Sequence, residues 1–76
     1  MPRKIRELRA DLRRAGFVLR PGKGSHEVWE HQDYPDISVT LAGNGGKDAQ
    51  PYQERDVRNA LAAVQRRREA NNGRTV

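Results

Sequence analysis

A helix and a strand meet at Leu12-Arg13-Arg14-Ala15-Gly16-Phe17. Upstream of this point, apolar residues recur at spacings of three and four and form one stripe of a helix predicted over Arg3–Ala15: Ile5, Leu8, Leu12 and Ala15. Gly16 stands where helices commonly end in a left-handed residue, and Phe17 is the apolar residue that often closes such a cap. We therefore expect the helix to end at Gly16 and a strand to follow at once.

Three short strands are predicted after this helix, over Phe17–Arg20, Ser25–His31 and Ile37–Leu41. The third strand alternates strictly between apolar and small polar residues, as a sheet with one buried face requires. A turn over Pro21–Gly24 joins the first two strands, because proline presets one turn dihedral and glycine tolerates the next. The short connections predict an antiparallel meander.

The second strand can face the core in two ways. Its faces carry His26, Val28 and Glu30 on one side and Glu27, Trp29 and His31 on the other. If Trp29 is buried, His26 points away from the helices; if Val28 is buried, His26 lies on the helix side. We expect His31 to be a surface residue.

A second helix is predicted from Pro51 to about Arg68. Proline suits the first turn of a helix, and a second apolar stripe follows it: Val57, Ala60, Leu61 and Val64. Residues 42–50 are rich in glycine and are expected to form a flexible loop, and residues 69–76 a disordered polar tail. The predicted fold class is α+β, in the order α-β-β-β-α, with a three-stranded antiparallel sheet, two helices on one face and a single domain over residues 1–68.

Composition excludes several classes of protein. The chain has 76 residues, which is enough for one domain and not for two. It has no cysteine, so it has neither a disulfide framework nor a thiolate metal site, and we predict no metal. No apolar run approaches the roughly 20 residues that span a bilayer, so we expect no membrane association and a location in the cytoplasm.

The net charge of +5 is unevenly distributed along the chain. Residues 1–25 carry a net charge of +6, residues 26–50 carry −4 and residues 51–76 carry +3. Nucleic acid is the natural partner of the two basic ends, because neutralised phosphates supply affinity that does not depend on sequence. A merely solvated basic surface is the alternative.

One segment brings candidate chemistry to the end of a strand, namely Gly22-Lys23-Gly24-Ser25-His26. A histidine can exchange protons near neutral pH, and glycines before it allow a large substrate to come close. A histidine at the end of a strand can also simply cap a turn. The residue types alone therefore leave both roles open.

The order of elements and three sequence motifs resemble the HicA family of toxin–antitoxin ribonucleases, over roughly residues 4–64. The motifs are Asp11-Leu12-Arg13-Arg14-Ala15-Gly16-Phe17, Lys23-Gly24-Ser25-His26 and Gly46-Lys47-Asp48. The resemblance implies a fold like a double-stranded RNA-binding domain, cleavage of messenger RNA and neutralisation by a HicB antitoxin. It also implies that His26 is the catalytic residue.

Metal-independent cleavage of RNA needs proton transfer and positive charge at the phosphate. His26 can supply the proton transfer, with attack by the 2′-hydroxyl of the RNA. Lys23, Gly24 and Ser25 could bind the phosphate oxygens. The best candidates to hold RNA elsewhere are Arg6, Arg9 and Arg13 of the first helix, with Arg66–Arg68 next. We expect no small-molecule cofactor.

Two other functions fit the same residues. One is a noncatalytic RNA-binding module in which His26 only turns a corner. The other is a protein that binds an antitoxin but has lost activity.

Overall fold

The structure is a computed structural model that describes residues 3–21, 24 and 26–74. Its elements follow the predicted order: α1 (Ile5–Ala15), β1 (Phe17–Pro21), β2 (His26–His31), β3 (Ser38–Ala42) and α2 (Pro51–Arg74). The three strands form an antiparallel sheet in the order β1-β2-β3. The helices and one face of the sheet share a single apolar core, which confirms the α+β fold of the double-stranded RNA-binding type.

Both ends of α1 are fixed by backbone contacts. Gly16 adopts the left-handed conformation with φ 101°, and its N–H donates to the Arg13 carbonyl, as the sequence predicts. At the other end, the N–H groups of Ile5 and Arg6 donate to the carbonyls of Lys47 and Gly45, at 2.9 and 3.1 Å. The glycine-rich loop was predicted to be flexible, but it is bound to the first turn of a helix whose N–H groups have no acceptor within the helix itself.

The burial of Trp29 shows which face of β2 packs against the core. Trp29 is 1% exposed and packs in the core with Val39 and Leu41 of β3. Because side chains alternate along a strand, His26, Val28 and Glu30 lie on the face that the helices leave open. The first of the two orientations left open by the sequence is the correct one.

The prediction that His31 is a surface residue is wrong, because His31 is 1% exposed. It follows Trp29 on the core face, where its ring meets Phe17 edge-on at 5.1 Å and stacks on Tyr34 at 5.0 Å. Nε2–H donates to the Ala15 carbonyl at 2.8 Å, and Nδ1 accepts from the Asp33 N–H at 3.1 Å. Both ring nitrogens are hydrogen-bonded, so the polar ring can be buried at little cost, as the neutral Nε2–H tautomer.

Helix α2 is longer than predicted, because it continues past Arg68 to Arg74. Polar contacts extend the helix where its apolar stripe has ended. The Arg67 guanidinium binds Asp36 at 2.6 Å and lies over the Tyr34 ring, and the Asn71 amide donates to the Tyr34 hydroxyl at 3.3 Å. Residues 69–74 are therefore helical, and the division into a domain over residues 1–68 and a tail over residues 69–76 stays a prediction.

The helices contain no segment suited to crossing a bilayer: across residues 3–21, 24 and 26–74, none is both long and apolar enough.

Replacing His31 tests the packing of β2. His31→Ala should lower the free energy of unfolding by about 3 kcal/mol, because it removes buried ring contacts and the acceptor of the Asp33 N–H. Urea unfolding followed by circular dichroism measures this loss. His26→Ala is the matched control, and since its ring is exposed, the change should not exceed about 0.5 kcal/mol. Equal effects of the two substitutions would contradict the assignment of faces.

Asp11 gives the fold a predictable dependence on pH. Its side chain is 17% exposed and binds Arg3 at 2.7 Å and also Arg14. These hydrogen bonds, chiefly the one from Arg3, hold the pKa of the Asp11 carboxyl below its ordinary value. A lowered pKa in the folded state means that the ionised carboxylate stabilises the fold above about pH 4, and that this contribution is lost as the pH falls further.

Asp11→Asn removes that contribution. At pH 7 the variant should be less stable by about 0.5–1 kcal/mol. The difference from the unmodified protein should shrink as the pH falls below about 4, because the carboxyl of the unmodified protein then becomes neutral as well. Urea unfolding at a series of pH values measures both curves. A difference that stays constant down to acidic pH would rule out this role for Asp11.

Candidate functional site

His26 is the first residue of β2 and is exposed. It pairs with Ala42 of β3 and shares the open face of the sheet with Val28 and Glu30. The ring therefore stands at one end of the sheet, on the face opposite the helices. A large ligand can reach the ring from solvent without a change of fold.

Of the three residues predicted to bind phosphate beside His26, only Gly24 is among the described residues. Gly24 is described and adopts a left-handed conformation with φ 63°, with open space where a side chain would stand. That space would let a backbone phosphate approach the main chain closely. Lys23 and Ser25 lie outside the described residues, so their proposed contacts with phosphate remain predictions.

Arg9 is occupied by contacts within the protein. Its Nε and Nη2 donate to the two carboxylate oxygens of Glu27 at 2.9 and 3.0 Å. Nη2 also donates to the Gly43 carbonyl at 3.3 Å, and Trp29 Nε1 donates to the same carboxylate at 3.4 Å. Arg9 thus joins α1, β2 and the loop after β3 beside His26. Its predicted contact with RNA stays a prediction.

The other candidate arginines differ in whether they bind residues within the protein. Arg6 and Arg13 are exposed on α1, and the Arg13 guanidinium lies 5.3 Å from the centre of the Trp29 ring. Arg67 binds Asp36, and Arg68 donates to the Ala15 carbonyl at 3.2 Å. These two residues therefore connect α2 to the turn before β3 and to the end of α1.

A cleft of about 490 Å³ opens at the end of the sheet that carries His26. Its lining residues come from α1, the turn before β2, the start of β2 and the loop after β3: Arg9, Gly24, Glu27, Gly43, Asn44 and Lys47. Lys47 was not among the sequence-predicted site residues, although it stands in one of the motifs of the resemblance. Only the folded loop brings it near the residues that flank His26. Nowhere in residues 3–21, 24 and 26–74 do three or more His, Asp or Glu side chains gather where a metal ion could bind.

A comparison with protein families relates this chain to a known family. The family model described as HicA toxin of bacterial toxin–antitoxin matches residues 5–63. The matched segment contains α1, all three strands and the first half of α2, so it includes both His26 and the cleft. No curated protein matches the chain.

A double-mutant cycle tests the contact between Arg9 and Glu27. The single substitutions Arg9→Ala and Glu27→Ala, compared with the double variant, should give a coupling free energy of about 1 kcal/mol, because the paired side chains are only 21% and 26% exposed. Urea unfolding measures each variant.

The matched control is the ion pair between Arg20 and Glu30 on the open face. Its atoms are 3.6 Å apart and the Arg20 side chain is 64% exposed, so its coupling should stay below about 0.5 kcal/mol. Equal coupling in the two pairs would argue against a special role for Arg9.

Proposed function

Since the chain belongs to the HicA family of toxins from bacterial toxin–antitoxin systems, we propose that it is an endoribonuclease that cleaves messenger RNA with a single catalytic histidine, His26. The observation that carries this proposal is the placement of His26. Its ring is exposed at the end of the sheet where a cleft lined by Arg9, Glu27 and Lys47 also opens.

The proposed reaction is an internal transesterification of the RNA chain. Neutral His26 removes the proton from a 2′-hydroxyl, whose oxygen attacks the adjacent phosphorus. The bond from phosphorus to the 5′ oxygen breaks, that oxygen takes up a proton from water, and the imidazolium returns its proton to solvent. The products are a 2′,3′-cyclic phosphate and a 5′-hydroxyl, and no metal is required. Positioned proton transfer of this kind typically contributes about 10²- to 10⁴-fold to the rate.

The proposed partners are messenger RNA and a HicB-like antitoxin. Membership of the family implies a cognate antitoxin. An antitoxin that neutralises this reaction has to cover His26 or exclude RNA from the cleft beside it. Cellular messenger RNA as substrate places the reaction in the cytoplasm, and neither partner requires a membrane.

A noncatalytic RNA-binding module is the alternative. It is favoured by the absence of an orienting partner, because no side chain among residues 3–21, 24 and 26–74 hydrogen-bonds to His26. Catalytic histidines are usually oriented by a second group. The binding module and the enzyme share the same surface, so only a test of RNA cleavage separates them.

Expression without an antitoxin tests the enzyme directly. The unmodified protein should arrest growth, and His26→Ala should relieve the arrest and reduce RNA cleavage by about 10²-fold or more, since the proton-transfer group is lost. Cleavage should continue in the presence of a chelator and should leave 2′,3′-cyclic phosphate ends, which mass spectrometry of the fragments detects.

Arg58→Ala is the control, because Arg58 is exposed on α2 and lines a different groove. This variant should arrest growth as the unmodified protein does. If purified protein binds RNA but leaves it intact, the noncatalytic module is the better description.

A further inference from the structure

We propose that the cleft beside His26 is a phosphate-binding subsite in which Lys47 contacts the RNA backbone and the Arg9–Glu27 pair holds the walls in place. The subsite would take another phosphate of the RNA strand that is cleaved. The inference rests on the proposed function in that the bound anion is RNA.

The charges in the cleft leave Lys47 as the cation available to a ligand. Both carboxylate oxygens of Glu27 accept hydrogen bonds from Arg9, so these two charges offset each other. Lys47 is exposed and forms no ion pair with any described residue. The neighbouring Asp48 carboxylate is bound to the Lys4 ammonium at 2.6 Å. The cleft therefore carries a net positive charge, contributed by Lys47.

The backbone around Lys47 is held before any ligand arrives. Its carbonyl accepts the N–H of Ile5 at 2.9 Å, and its own N–H donates to the Asn44 carbonyl at 3.1 Å. At the start of the loop, the Gly43 carbonyl accepts from Arg9. A cation on a fixed backbone loses less conformational entropy on binding than a cation on a mobile loop, so this placement favours a specific contact.

The cleft and His26 lie at the same end of the sheet but on opposite sides of it. Ala42 pairs with His26, and the loop that carries Lys47 begins one residue later. Glu27 follows His26 and turns into the cleft. An RNA strand that crosses this end, over the open space at Gly24, would present one phosphodiester to His26 and another phosphate to Lys47.

Two other cavities do not carry the net positive charge of this cleft. The groove between β3 and α2 contains the carboxylates of Asp36 and Asp56 and no cation among its lining residues. The groove between the helices contains Arg3 and Arg58 but also the carboxylates of Asp11 and Glu54. Arg67 and Arg55 pair with the two carboxylates of the first groove, which has no cation of its own for a phosphate, and the two cations and two carboxylates of the second groove balance. The cleft that contains Lys47 is therefore the better phosphate site.

Binding of a labelled single-stranded RNA oligonucleotide tests the subsite apart from catalysis. All variants are made in the His26→Ala protein, so that the RNA stays intact during the measurement. Adding Lys47→Ala should weaken the affinity several-fold and reduce the slope of log K against log salt concentration by about 0.7, the value for one lost phosphate contact on a single strand. Lys47→Arg should restore both the affinity and the slope.

Arg58→Ala is the matched control, because it removes the same charge from an exposed site outside the cleft. It should leave the salt slope unchanged. If Lys47→Ala keeps the slope of its parent, or if Arg58→Ala lowers the slope equally, the subsite is refuted. Circular dichroism confirms that each variant is folded.

The outcomes also separate the two proposals. If Lys47→Ala lowers the slope while the protein with His26 intact fails to cleave RNA, the subsite stands and the nuclease proposal fails. If the intact protein cleaves RNA and Lys47→Ala has no effect on the slope, only the subsite is refuted.

Discussion

Burial of one face of β2 determines where the candidate chemistry lies. Trp29 and His31 are each 1% exposed, and side chains alternate along a strand, so His26 must lie on the opposite face. A register slip of one residue would bury His26 and expose both aromatic rings. The ring contacts of His31 with Phe17 and Tyr34 oppose that slip, because they fit only one register. An ordinary packing requirement thus keeps the candidate catalytic ring in solvent.

The first turn of α1 fixes the position of the loop after β3. Its N–H groups need acceptors from outside the helix, and the loop carbonyls supply them. Glycine at position 45 favours this close approach, because a Cβ atom there would lie 3.0 Å from Arg9 Nη1 and 3.4 Å from Arg6 Cβ, so these side chains would have to shift slightly. In this loop, glycine permits close packing rather than mobility. The result is a fixed wall for the cleft, built from a segment that has no secondary structure of its own.

The features that the sequence predicts correctly are those governed by local rules. Periodicity and the capping glycine identify α1 and Gly16, and strict alternation identifies β3. The sequence cannot choose between Trp29 and Val28 as the buried residue of β2, because both are apolar. The burial of His31 depends on an Ala15 carbonyl and an Asp33 N–H that only the folded chain brings to the ring. Likewise, α2 continues past Arg68, where Arg67 and Asn71 contact residues of the turn before β3, and the apolar periodicity of α2 does not indicate these polar contacts.

Many of the charged side chains form ion pairs within the folded protein. The basic ends meet the acidic middle in specific pairs, with Arg9 on Glu27, Lys4 on Asp48, Arg20 on Glu30 and Arg67 on Asp36. Exposed pairs contribute little stability each, but every cation held in this way is less available to phosphate. The basic composition therefore overstates the cationic surface that is available to the proposed RNA substrate. The proposed binding would draw on cations that form no ion pair with any described residue. Lys47 is one of these, and it lies at the same end of the sheet as His26.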